Sequence, residues 1–173
     1  MAQAPLIYLD ANIFIHAFEP SPQFGRENSN RLVTFLSQNA GSRKPVFRTS
    51  EFTFGELWVG PYKKQKDELI QLYENLSFSN MFLEVGPVTL EVIKGAARLR
   101  GLYSALKMPD ALHISTAILF GCTYLLTSDA RMKDTFELGF DRFGFSKRLR
   151  PVTVIRPDTK TLQRLTHEFS AID

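Results

Sequence analysis

The sequence predicts an α/β protein: a central, mainly parallel sheet of about five strands with helices on both faces, a three-layer α/β/α arrangement. Two observations carry this. Short continuous apolar runs, such as Leu6-Ile7-Tyr8-Leu9 and Thr123-Tyr124-Leu125-Leu126-Thr127, read as strands buried on both faces. Segments of helical rhythm alternate with them along the chain, the order of β–α–β units with right-handed crossovers. The composition agrees. With 44% hydrophobic and 23% charged residues the chain is of ordinary soluble globular type, and 173 residues suffice for one domain with a sizeable core.

The first strand ends in Asp10, and a helix is expected from about Ala11. Pro20 and Pro22 mark a loop. A helix over 25–38 follows, with Leu32, Val33, Phe35 and Leu36 in helical rhythm, and a turn over 40–44 carries Gly41. Pro45-Val46-Phe47-Arg48-Thr49 reads as the second strand. Ser50 is placed to cap a helix over 51–60, which Gly60-Pro61 is expected to stop. A charged amphipathic helix covers 63–75, and Met81 to Val85 form the third strand, closed by Gly86-Pro87. The next helix spans 89–103. Pro109 marks the first turn of another, which runs to Phe120 and ends at Gly121. The fourth strand, 123–127, leads straight into Ser128-Asp129. A short helix is expected over 131–138, an irregular insert over 139–150, the fifth strand over 151–155 and a final helix over 158–171. No repeat, low-complexity segment or linker divides residues 1–173.

Acidic residues fall at equivalent topological places. Asp10 follows the first strand, Asp129 follows the fourth, and Asp110 opens the helix leading into the fourth. Open α/β sheets bind ligands at the carboxyl ends of their strands, at a switch point. If the first and fourth strands are neighbours, the three acids converge there. Glu56, on the helix after the second strand, can point into the same crevice. Taken singly each has a plainer reading: Asp10 and Asp110 as helix caps, Glu56 as a solvated face residue. Taken together, three or four close carboxylates repel one another unless a cation is present. Hard oxygen ligands without cysteine or clustered histidine point to Mg²⁺ or Mn²⁺.

Four motifs in order resemble those of the PIN-domain nuclease family. They are Tyr8-Leu9-Asp10-Ala11-Asn12-Ile13-Phe14-Ile15, then Thr49-Ser50 with Glu56-Leu57-Trp58-Val59-Gly60, then Met108-Pro109-Asp110-Ala111-Leu112-His113-Ile114, and Leu126-Thr127-Ser128-Asp129. The resemblance covers about 5–135 and is nearest to the VapC-type toxins of toxin–antitoxin pairs. It implies a PIN-like fold and Mg²⁺- or Mn²⁺-dependent cleavage of RNA. It also implies an antitoxin partner, often with homodimerisation. It makes Asp10, Glu56, Asp110 and Asp129 the acidic quartet that binds metal and catalyses, with Asn12 and Thr127 orienting carboxylates by hydrogen bonds. The sequence departs from the compact family pattern over 139–150 and after Pro157.

Other residues carry weaker signals. His113 stands three residues after Asp110, on the same helical face, which suits a proton-transfer role; a structural role is the commoner one for such a histidine. Glu51 competes with Glu56 for the second motif, but Leu57-Trp58-Val59-Gly60 follows Glu56. Asp134 reads as a surface acid and Trp58 as core. Arg98, Arg100, Lys107, Arg131 and Lys133 flank the third and fourth motifs, with Lys147, Arg148 and Arg150 in the insert; together they would bind phosphates around an acidic hole, while any one of them reads more simply as solvated surface. Phe140, Phe143 and Phe145 could stack bases or pack the insert onto the sheet. A dehalogenase-like phosphatase also places an Asp after its first strand, but needs a second Asp where Asn12 stands.

The net charge of +3 and a pI near 9.1 permit a polyanionic partner without demanding one. Cys122 is the single cysteine, which excludes an internal disulfide and a Cys-based zinc cage. The apolar start is broken by Asp10 and Asn12, unlike a signal peptide or a membrane span, so a cytoplasmic protein is expected.

Overall fold

The computed structural model describes residues 5–19, 21–38, 46–142 and 145–170. Pro20, the turn over 40–44, Pro45, Phe143 and Ala171 lie outside the described residues, as does the side chain of Phe145.

A six-stranded sheet runs through the centre in the order β3-β2-β1-β4-β8-β5. Its members are β1 (Ile7–Leu9), β2 (Phe47–Ser50), β3 (Leu83–Gly86), β4 (Tyr124–Leu126), β5 (Thr135–Phe136) and β8 (Val152–Ile155). All neighbours are parallel except β5, which pairs antiparallel with β8. β1 lies between β2 and β4, with Tyr8 opposite Arg48 on one side and Leu125 on the other. The chain steps outward from β1 in both directions, so the switch point falls at the carboxyl end of β1.

The strand alternation sorts side chains into two cores. Ile7 and Leu9 face one, with Phe14, Leu32, Phe35, Phe47, Phe54 and Phe169. Tyr8 faces the other, with Leu99, Ile114, Leu125, Phe136 and Val152. The first core is covered by α1 (Ala11–Phe18), α2 (Arg26–Gln38), α3 (Glu51–Leu57) and α8 (Thr159–Ser170). The second lies under α6 (Leu90–Leu102) and α7 (Met108–Leu119). Thr89 caps α6, its hydroxyl accepting the Val92 N–H at 3.4 Å. α7 carries Pro109 in its first turn, where the missing N–H is harmless, and Gly121 follows its end at φ +68°. The two helices approach closely: a Cβ at Gly95 would run into the Ser115 hydroxyl.

Four expectations are corrected. Gly60-Pro61 does not stop the helix after β2. α3 is followed by α4 (Val59–Lys64), because Pro61 falls in the first turn of α4, where proline is tolerated. α4 stops instead at Gln65, which adopts the left-handed conformation, and the charged helix is α5 (Asp67–Leu76). Ser50 makes no side-chain cap to α3; its hydroxyl bonds Tyr8 instead. Residues 131–138 form no helix but contain β5, held by pairing with β8. The insert is not irregular: β6 (Gly139–Arg142) and β7 (Phe145–Arg148) pair antiparallel as a separate two-stranded sheet. Among the described residues no helix is long and apolar enough to cross a membrane.

Candidate functional site

Asp10 ends β1 and is 6% exposed. It is both a helix cap and a strand-end acid. Its Oδ1 accepts the Ala11 N–H at 2.7 Å. Its Oδ2 accepts from the Thr127 hydroxyl at 2.6 Å and from Asn12 Nδ2 at 2.5 Å. Asn12 spans the gap to the neighbouring strand end: Nδ2 also donates to Thr127 Oγ1, and Oδ1 accepts the Ser128 N–H at 2.9 Å. Thr127 Oγ1 in turn accepts the Asp129 N–H at 3.1 Å. Asn12 and Thr127 thus hold Asp10 and the backbone of Asp129 in one network.

Glu56 lies on α3 and His113 on α7, and they meet. His113 Nε2 donates to Glu56 Oε2 at 2.8 Å and lies 3.5 Å from Asp10 Oδ1. The other ring nitrogen is 2.9 Å from the Tyr8 hydroxyl, which bonds Ser50 Oγ at 2.8 Å. Tyr8 and Phe52 flank the imidazole, with ring centroids at 5.8 and 5.2 Å. His113 is 2% exposed. Burial alone would push its pKa down. Tyr8, the hydrogen bond to Glu56 and the charges of Asp10 and Glu56 outweigh burial and hold it well above the ordinary 6.5. Among the described residues, Asp10, Glu56 and His113 offer ligand atoms that all lie within 4.8 Å of one another.

Asp110 and Asp129 line an adjoining cleft of about 200 Å³ with Tyr103, Lys107, Arg131 and Lys133. Asp110 has its pKa raised by burial and by the charges of Asp129 and Asp10, which ties the cleft electrostatically to Asp10. Asp129 is depressed to about 2, chiefly by Arg131, which forks onto it with Nε at 2.9 Å and a terminal nitrogen at 2.8 Å. The four acids therefore do not repel one another unrelieved: His113 bridges two of them, and Arg131 neutralises a third.

Glu51 stays apart and accepts the Val88 N–H. Asp134 is exposed, and Trp58 packs against the first core. Of the basic residues singled out, Lys107, Arg131 and Lys133 line the cleft. Arg98 lies over the Phe140 ring at 3.8 Å, Arg100 bonds the Leu106 carbonyl, and Arg148 pairs with Asp141. Phe140 is thus part of how β6 packs. Cys122 is buried, and burial pushes its thiol up to about 12. His16 lies behind the Ser128 loop, bonded to Ser128 Oγ and stacked on Phe24. Sequence reasoning missed Tyr8 and undervalued His113; the signal was the shared helical face of Asp110 and His113. The oxygens of Asp10 and Glu56 are hard donors with no thiolate beside them and fit a hard divalent cation, while both ring nitrogens of His113 are already engaged in hydrogen bonds.

The sheet order and the acids at the switch point define a PIN-like α/β fold. The PIN-domain family model matches residues 7–137, and the chain belongs to that family. No curated protein matches it in sequence. Among solved structures it is similar to a chain of a toxin–antitoxin complex from Klebsiella pneumoniae, at 24% identity and a TM-score of 0.53, covering 72% of this chain and 88% of that one. It is similar to a chain of VapBC2 from Rickettsia felis bound to a promoter DNA fragment, at 20% identity and a TM-score of 0.55, with the same coverage of 72% and 88%. It is also similar to VapC20 of Mycobacterium tuberculosis, a sarcin–ricin-loop-cleaving toxin, at 17% identity and a TM-score of 0.53, covering 69% and 86%.

Proposed function

We propose that this chain is a divalent-cation-dependent endoribonuclease and the toxin of a toxin–antitoxin pair. The observation that carries the reading is the pairing, at the switch point of a PIN-family sheet, of Asp10 and Glu56 about His113 with an adjoining cleft lined by Asp110 and Asp129. These four would hold Mg²⁺ or Mn²⁺, and His113 stands beside two of them. A cation held there would activate water and neutralise charge on the scissile phosphate.

The chain's own residues do the rest. Thr127 and Asn12 donate to one oxygen of Asp10 and fix its carboxylate plane. Lys107 and Lys133 stand at the rim of the cleft and would take flanking phosphates of RNA. The solved toxin–antitoxin complexes of the same fold support a small antitoxin protein as partner, with a second copy of this chain as a further candidate. Residues 1–173 would act as one unit in the cytoplasm.

The test is cleavage of an end-labelled RNA by purified protein. Cleavage with Mg²⁺ or Mn²⁺, stopped by EDTA and abolished in Asp129→Asn, is the expected result. Cleavage that survives chelation, or that persists in Asp129→Asn, overturns it. RNA cleavage without growth arrest on expression would assign the activity to RNA processing rather than to a toxin.

A further inference from the structure

We propose that His113 is a positioning residue: with Tyr8 and Ser50 behind it, it fixes the Glu56 carboxylate beside Asp10, so that the two acids form a prepared cation site. This deepens the ribonuclease reading and rests on it.

Glu56 needs such a support. It stands near the end of a seven-residue helix, its side chain is 35% exposed, and it has three side-chain torsions to immobilise. Its carboxylate accepts from His113 Nε2. His113, by contrast, has little freedom: it is 2% exposed, bonded at both ring nitrogens, and packed between Tyr8 and Phe52. The line Ser50–Tyr8–His113–Glu56 joins four elements, β2, β1, α7 and α3, each bond 2.8–2.9 Å long. Tyr8 belongs to the central strand that also delivers Asp10. Glu56 is thereby located relative to Asp10 through the centre of the sheet rather than through its own short helix. A metal-binding carboxylate held by an outer partner is the usual device for setting ligand geometry.

The experiment compares the parent with His113→Gln, Tyr8→Phe, Glu56→Gln and the double variant His113→Gln/Glu56→Gln. Thermal melts first establish that each folds. Mn²⁺ affinity is read by calorimetry, and kcat and KM on a short oligoribonucleotide. His113→Gln should weaken Mn²⁺ about tenfold and lower kcat with KM for RNA unchanged. Tyr8→Phe, which keeps the ring, should move both in the same direction by a smaller factor. In the Glu56→Gln background, His113→Gln should add nothing, because a residue that acts through Glu56 has no further effect once Glu56 is disabled.

Losses that multiply in the double variant overturn the proposal; His113 would then be a ligand itself or a fold element. Mn²⁺ affinity that is unchanged in both His113→Gln and Tyr8→Phe, or tighter in His113→Gln as for a side chain that merely competes with the cation for the two acids, overturns it as well. If His113→Gln fails to fold, Tyr8→Phe decides. A parent that binds Mn²⁺ but cuts no RNA refutes the ribonuclease reading, while the Mn²⁺ arm still decides the role of His113.

Discussion

The two carboxyl groups lining the cleft titrate in opposite directions, because Arg131 forks onto Asp129 while Asp110 is left to burial and the neighbouring acids. Asp129, depressed to about 2, stabilises the fold above its ordinary value of 3.8, and that contribution is lost as pH falls toward 2. Asp110, raised above 3.8, does the reverse: its penalty is absent below that value and sets in as pH rises through its folded pKa. In EDTA at neutral pH, Asp129→Asn should therefore lower the melting temperature and Asp110→Asn should leave it equal or higher. The Asp129→Asn deficit should close near pH 2. Melts across pH 2–7 check both. Arg131 also competes with any cation for Asp129. Arg131→Gln should tighten Mn²⁺ binding severalfold in a calorimetric titration and weaken RNA binding in a filter assay. The acids were legible in the sequence because each sits where a strand ends or on the helix beside it. Tyr8 was not, being hidden in an apolar run, with its partner His113 lying 105 positions away.

At the scale of elements, two of the misread stretches, 131–138 and the insert, share a cause. Local signals competed with pairing that only the folded chain supplies. Thr135-Phe136 is extended because β8 is beside it, and no local pattern announces that edge. Gly60-Pro61 looked like a stop, yet a proline in a first turn forfeits no hydrogen bond. The true stop, Gln65, sits at φ 51° and ψ 47° and carries no glycine. Gln65→Gly should raise stability by about 0.5–1 kcal/mol, the relief of left-handed strain less the greater freedom of the unfolded chain. Gly86 is the opposite case. It closes β3 opposite Ser50, and a Cβ there would enter the Phe120 ring. Gly86→Ala should cost about 1–3 kcal/mol through overpacking. Urea unfolding of both variants measures the two changes.

Across the whole molecule, the alternation of strands and helices pointed to a mainly parallel sheet, and the expected convergence of the acids hung on the first and fourth strands being neighbours, which they are. The sixth strand and the β6–β7 hairpin lie beyond that logic, because antiparallel additions leave no crossover helix to mark them. A cation that binds only the folded chain should raise its melting temperature, equivalent to about 2.7 kcal/mol at a hundredfold excess over its dissociation constant. The most direct measurement is a calorimetric titration of Mn²⁺ into the parent, Asp10→Asn and Glu51→Gln. Asp10 stands at the centre of the proposed site and Glu51 outside it, bonded to Val88. The parent and Glu51→Gln should bind Mn²⁺ alike and saturably, and Asp10→Asn should bind at least about tenfold more weakly, a loss of some 1.4 kcal/mol. A parent that binds no Mn²⁺, or an Asp10→Asn variant that binds it as well as the parent does, would contradict the account.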